Sequence, residues 1–227
     1  MRRSKSIKAL IEKSKKDFVA LKADYDSSLQ HQTVSEELKI DIKNIFENLR
    51  SCLDYLAHDI HEECVGGNPP NRLNFPIRQT SQEFTQAINR DFPDLDTNYN
   101  AVYSALEKVQ PYNDTWLGKF NKLNNNNKHQ DLEEQTRTES RHVTVSSQQG
   151  GGSVSWGPGV TFGGGVSVMG VPIDPRTQMP VPNNQVKTEV VIWVDFKFRE
   201  NGESVIPFIE KSIENIDSLF SEIEKHI

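Results

Sequence analysis

The sequence predicts an α+β chain that is predominantly α: an antiparallel helical bundle with a long helical hairpin, a small antiparallel β insertion near residues 140–199, and a closing C-terminal helix. Three observations predict it. Apolar residues recur at helical spacing up to about residue 132; strand-like alternation and glycine clusters are confined to 140–199; and the helical period returns from Ile206 to Ile223. The expected organisation is one domain over 1–227, with a helical core at 1–139, a β-rich insertion at 140–199 and a returning helix at 204–226.

Ile7, Leu10, Ile11, Phe18, Leu21 and Tyr25 mark the first helix, and the polar stretch around His31 to Thr33 ends it. Thr33 and Glu36 form a capping box for a second helix that runs to about Cys64, where Gly66, Gly67, Asn68, Pro69 and Pro70 stop it. On this helix Leu38, Ile42, Ile45, Phe46, Leu49, Leu53, Leu56 and Ile60 share one face. Lys43, Glu47, Arg50, Asp54, His58 and His61 form a polar stripe beside it, which puts Arg50 at the edge of the core.

After a loop containing Phe75, Pro76 and Ile77, Ser81 can cap a short helix through Asn89. Asp96 to Val109 predicts another, with Tyr99, Val102, Tyr103 and Leu106 inward, broken by Gln110, Pro111 and Tyr112. Asn113 or Asp114 then starts a helix carrying Trp116, Leu117, Phe120, Leu123 and, towards its far end, Lys128, His129 and Leu132.

Alternating β-branched residues at His142-Val143-Thr144-Val145, with Gly150 to Gly152 and Gly163 to Gly165, predict short hairpins. Pro172, Pro175, Pro180 and Pro182 predict an irregular connector, and Val186 to Phe198 the strongest strand. Ile206, Ile209, Ile213, Ile216, Leu219, Phe220 and Ile223 predict the closing helix.

Lys+Arg number 26 against Asp+Glu 32, a formal net charge of −6, so any contact with RNA must be local rather than drawn by a global positive field. Two cysteines, Cys52 and Cys64, share one predicted helix too far apart to bridge, which fits a reducing cytoplasm. The basic start, Arg2, Arg3 and Lys5, leads into an amphipathic helix rather than the apolar core of a signal peptide, and no segment reaches membrane-spanning length. The expectation is a soluble cytoplasmic protein with no membrane partner.

Asn48-Leu49-Arg50-Ser51-Cys52-Leu53-Asp54-Tyr55-Leu56-Ala57, Phe75-Pro76-Ile77, Gln110-Pro111-Tyr112 and Asn127-Lys128-His129, in that order, resemble a family of uncharacterised bacterial helical proteins. The resemblance spans the first half to three-fifths of the chain. That family's helical core is in turn similar to the HEPN superfamily, which includes metal-independent ribonucleases of toxin–antitoxin and phage-defence systems. The resemblance implies an arginine and a histidine acting on RNA near the seam of a homodimer, and a protein partner such as an antitoxin. This chain has Tyr55 where relatives carry the histidine, and His58 lies eight residues beyond Arg50.

Metal-free RNA cleavage needs a base for the 2′-hydroxyl proton, an acid for the leaving oxygen and a cation for the charged phosphorane. His58 or His129 can supply the first two, and Arg50 and Lys128 the charge, with Asp54 completing the candidate set. The same residues admit a structural account. Arg50 and Asp54 can pair at i,i+4, supported by Glu47, to orient the helix; His58 can sit on a solvated face; and Lys128 and His129 can complement a helix C-terminus. His58, His61, Glu62 and Cys64 offer metal donors at helical spacing but lack the second ligand pair of a structural zinc site, so neither metal nor cofactor is expected. Trp156 and Phe162 read as packing residues. Two functions follow: an endoribonuclease built on Arg50 with His58 or His129, or a non-catalytic binding protein whose Arg50, Asp54 and His129 are structural.

Overall fold

A computed structural model describes residues 1–31, 35–129, 135–148, 152–157, 159–184, 186–199 and 201–227; side chains at 26–31, 126–129, 135–142 and 189–194 are outside the description. The chain is α+β and predominantly α, and it forms two compact units. Unit 1 comprises Met1–Thr136 and Lys197–Ile227; unit 2, Arg137–Phe196, is inserted within it.

Unit 1 is a helical bundle. Helices α1 (Ser4–His31) and α2 (Glu36–Ile60) pack along each other, and α7 (Val205–Ile223) packs on both. The apolar face of α2 is buried as its period requires, from Leu38 through Ile60. Phe46 lies at the centre of the core, its ring centroid 5.4 Å from that of Phe120, 5.9 Å from Phe198 and 6.2 Å from Phe208. One aromatic cluster thereby joins α2, Phe198 at the end of the last strand, α7 and α6 (Thr115–His129).

Several helix ends differ from the sequence expectation. Thr33 lies outside the described residues, and α2 is capped by Ser35, whose hydroxyl accepts the Leu38 N–H at 3.1 Å. The helix does not run to Cys64 as α-helix: its last turn, His61–Val65, is π, closed by Gly66 N–H to the His61 carbonyl at 2.9 Å. Gly66 stops it with φ of 78°, the left-handed region open to glycine. Thr80 rather than Ser81 caps α3 (Ser81–Asp91), through the Glu83 N–H. The expected helix over Asp96–Val109 is two pieces, α4 (Leu95–Asn98) and α5 (Asn100–Lys108), because Tyr99 leaves helical geometry at φ −134°, ψ 51°. Asp114 begins α6 by accepting the Trp116 N–H.

The basic N-terminus has a structural task that the sequence did not announce. Asp59, fully buried, accepts the Arg3 backbone N–H at 2.8 Å and its guanidinium at 2.9 Å, and the same guanidinium reaches Glu62 at 2.7 Å. The start of α1 is thus fixed to the end of α2 by a charge that would be costly to leave unpaired.

Unit 2 is antiparallel and built on a small core of Val143, Val145, Trp156, Val171, Ile173 and Val186. Strand β1 (Gln135–Ser147) lies between β2 (Ser153–Trp156) and β6 (Val186–Phe198), with Val143 opposite Trp156. The proline-rich stretch is not an irregular connector. It forms a second sheet, β3 (Ser167–Val168), β4 (Val171–Asp174) and β5 (Met179–Pro180). Pro180 is tolerated because β5 is an edge strand; Pro172, in the middle strand, gives up one ladder bond at the end of the β4–β5 pairing, while its carbonyl still accepts the Val181 N–H at 2.9 Å. The turn of the β3–β4 hairpin is Met169–Gly170, both at positive φ, as a two-residue primed turn demands. Trp156 and Phe162 meet edge to face at 5.0 Å, so both are packing residues.

Candidate functional site: an arginine-lined cavity

Helix α2 presents Arg50 and Asp54 on one side, four residues apart. Arg50 donates from Nη2 to Asp54 Oδ1 at 2.9 Å and from Nε to Oδ2 at 3.2 Å, a two-point fork. Their side chains are 13% and 28% exposed, so the pair is sheltered enough to hold a fixed geometry. Two further bonds give the fork its reach. Arg50 Nη1 donates to Asn121 Oδ1 of α6 at 3.3 Å, and Asp54 Oδ1 accepts the Phe75 N–H at 3.0 Å. Glu47 does not join the pair; it meets Lys43 at 3.7 Å.

The segment between α2 and α3 is pinned again at Pro76 and Arg78. Gln110, fully buried just after α5, donates from Nε2 to the Pro76 and Leu106 carbonyls, each at 2.9 Å, and accepts the Arg78 N–H at 2.9 Å. Beside it, Pro111 packs so closely on α6 that a Cβ at Gly118 would stand 3.2 Å from the Pro111 Cβ. Three of the four sequence motifs therefore meet. Asp54 holds Phe75, Gln110 holds Pro76 and Arg78, and Pro111 sets the approach of the helix that carries Asn121.

Between these elements lies a cavity of about 380 Å³. Arg50 and Asp54 form one wall and Asn121 and Asn125 of α6 another; Arg72, Asn74, Ile77 and Arg78 come from the pinned segment, and Arg90 and Asp91 from the end of α3. Four arginines less two aspartates leave a formal charge of +2 around the cavity, in a chain whose net charge is −6. Arg90 is occupied by Asp91, at 2.8 and 2.6 Å, a pairing that raises the guanidinium pKa further. Among the described residues, Arg72 and Arg78 have no carboxylate partner; the Arg78 guanidinium donates only to the Ile77 carbonyl, at 2.8 Å. Arg50 uses three of its five N–H donors on Asp54 and Asn121, leaving two.

The other sequence candidates fall elsewhere. His58 does not line the cavity, and its Nδ1 is buried without a hydrogen-bond partner. His61 is buried against the Phe92 ring, 6.3 Å between centroids, and desolvation followed by the nearby His58 lowers its pKa below the usual 6.5. Lys128 and His129 end α6, and their side chains lie outside the described residues. Cys52 is a core residue, its thiol pushed up to about 12 by burial, and both cysteines are free. Among the described residues no cluster of His, Cys, Asp or Glu is arranged to hold a metal, and no helix is long and apolar enough to cross a membrane.

Sequence reasoning missed Arg72, Arg78, Arg90, Asn121 and Asn125. The available signal was positional: Arg72 and Arg78 bracket the Phe75-Pro76-Ile77 motif. Chemically, unpaired planar forks and amides around a polar cavity suit an oxyanion. The chain matches no protein-family model, no curated protein and no solved structure.

Proposed function

We propose that unit 1 is a binding module for a phosphate-bearing ligand, taken up in the arginine-lined cavity, and that Arg50 and Asp54 position its walls rather than perform acid–base chemistry. The observation that carries this reading is the contrast among the arginines. Arg50 and Arg90 are held by carboxylates, whereas Arg72 and Arg78 face the same cavity with none among the described residues. An unpaired guanidinium beside a polar cavity is a ready bidentate partner for a phosphate oxygen pair. Asp54 is a poor candidate for a base because Oδ1 already accepts two hydrogen bonds and Oδ2 a third.

Titration calorimetry with inorganic phosphate tests this. Saturable binding by the wild type is expected, weakened at least about tenfold in Arg72→Ala and in Arg78→Ala, with both variants melting like the wild type. Absence of saturable heat, or equal affinity in all three proteins, overturns the reading.

A second reading has one observation in its favour. The stripe of α6 that gives Asn121 and Asn125 to the cavity continues, by helical period, to positions 128 and 129. In that reading the chain is a HEPN-like metal-independent ribonuclease, acting across a homodimer, with His129 as the proton-transfer group and Arg50 and Lys128 as the cations. Cleavage of RNA in EDTA by the wild type, abolished in a His129→Ala variant of unchanged melting temperature, would establish it in place of the first.

A further inference from the structure

Resting on the phosphate-binding reading, we infer that the ligand is a small phosphomonoester bearing hydroxyl groups, a sugar phosphate in chemical class, and not the internal phosphodiester of a nucleic-acid strand. Three features of the cavity carry this.

The first is charge. The formal +2 around the cavity matches a phosphomonoester, which carries about −1.5 to −2 near neutral pH, while a phosphodiester carries only a single negative charge. Arg72 and Arg78 come from one short segment whose backbone is fixed between them, by Asp54 at Phe75 and by Gln110 at Pro76 and Arg78. Two guanidiniums on a pinned segment need little reorganisation to close on one phosphate with several free oxygens. A diester has lost one of those oxygens to its second ester link.

The second is the absence of a stacking surface among the described residues. Proteins that hold single strands present aromatic faces to successive bases. Among the described residues lining this cavity Phe75 is the one aromatic, and it is 2% exposed, its ring committed to the core. The −6 charge of the whole chain further opposes a long polyanion, whose outlying phosphates would meet net negative potential.

The third is the rest of the lining. About 380 Å³ is at the small end of ligand cavities, yet more than a bare phosphate needs. Beyond the arginines the walls offer Asn74, Asn121 and Asn125, side-chain amides that both donate and accept. Such amides suit hydroxyls, each of which is also donor and acceptor. An apolar ligand body would find almost nothing to bury against.

The test is calorimetry on the full chain with ribose 5-phosphate, its methyl phosphodiester, ribose, inorganic phosphate and a 5′-hydroxyl single-stranded oligoribonucleotide. The inference expects ribose 5-phosphate to bind more tightly than inorganic phosphate, at least about tenfold more tightly than the methyl diester, and ribose to show no saturable heat. Arg78→Lys is expected to recover part of the affinity lost in Arg78→Ala, since it restores charge without the fork. Asn125→Ala should weaken ribose 5-phosphate while leaving inorganic phosphate unchanged, separating the sugar contact from the phosphate contact. If inorganic phosphate binds but the monoester and diester are equal, or the oligoribonucleotide binds best, this inference fails and the phosphate-binding reading stands. If no phosphate compound binds, both fail.

Discussion

At the scale of single residues, the polar stripe of α2 divides into side chains that serve the cavity and side chains that serve the fold. Arg50 and Asp54 do both, since their fork forms one wall and anchors Phe75. His58 and His61 lie on the other side of this division. Each has a buried Nδ1 with no hydrogen-bond partner, and His61 packs edge-on to Phe92. Burial disfavours the imidazolium, so the folded-state pKa of His61 lies below 6.5. The sign follows from linkage. Above 6.5 the imidazole is neutral both folded and unfolded, and costs nothing; as pH falls below 6.5 the unfolded chain takes up the proton first and is favoured, until the folded pKa is reached. Stability should therefore fall on acidification below pH 6.5, by at most about 1.4 kcal/mol per pH unit from this one group. Urea melts between pH 7 and pH 5 check it. His61→Leu, which removes the titrating group and no hydrogen bond, should flatten the slope, and an unchanged slope would refute the assignment.

At the scale of elements, the segment between α2 and α3 owes its shape to hydrogen bonds from residues far away in sequence. Gln110 supplies two of them, accepting the Arg78 N–H and donating to the Pro76 carbonyl, and the residue is fully buried. Gln110→Ala would strand the Arg78 N–H and the Pro76 carbonyl. The expected cost is about 3 kcal/mol, read as a lower urea midpoint at unchanged slope, with weaker phosphate binding because Arg72 and Arg78 lose their support. A loss below about 1 kcal/mol would mean the segment is held mainly by Leu73 and Phe75 in the core. This is also where legibility in the sequence ended. The apolar period of α2 and the β-branched alternation of unit 2 are local patterns, and both elements were readable from them. The Arg50–Asp54 pair was readable too, because i,i+4 spacing is local. The Asp54 bond to Phe75 spans 21 residues and the Gln110 bond to Pro76 spans 34, so no window of sequence displays them. The motif segments name Asp54, Phe75, Pro76 and Gln110 one after another, without revealing that they converge on one segment. Arg90 and Asn125 carry no local signature at all. The break at Tyr99 and the π turn at His61 were likewise invisible, since each leaves the apolar spacing nearly intact.

At the scale of the whole molecule, connectivity argues that the cavity belongs to unit 1. Every described lining residue lies within Met1–Thr136, and the Phe46 cluster gives that unit a core of its own. Unit 2 has a separate core around Val143 and Trp156. The two strands that lead into and out of it, β1 and β6, are neighbours in one sheet, and Ser146 Oγ donates to the Lys187 carbonyl across them. Neighbouring strands lie only about 5 Å apart, so a short glycine linker can replace residues 137–196 without pulling unit 1 apart. The excised protein is expected to melt in one cooperative transition and to bind ribose 5-phosphate within about threefold of the full chain, because it loses no cavity residue and no side chain of the Phe46 cluster. Calorimetry and a thermal melt of the excised protein check both parts. A cooperative melt with lost binding would mean that unit 2 completes the site, and the lining of the cavity would have to be redrawn to include it. A failure to melt cooperatively would mean instead that the bundle depends on the insertion for its stability, despite having an aromatic core of its own.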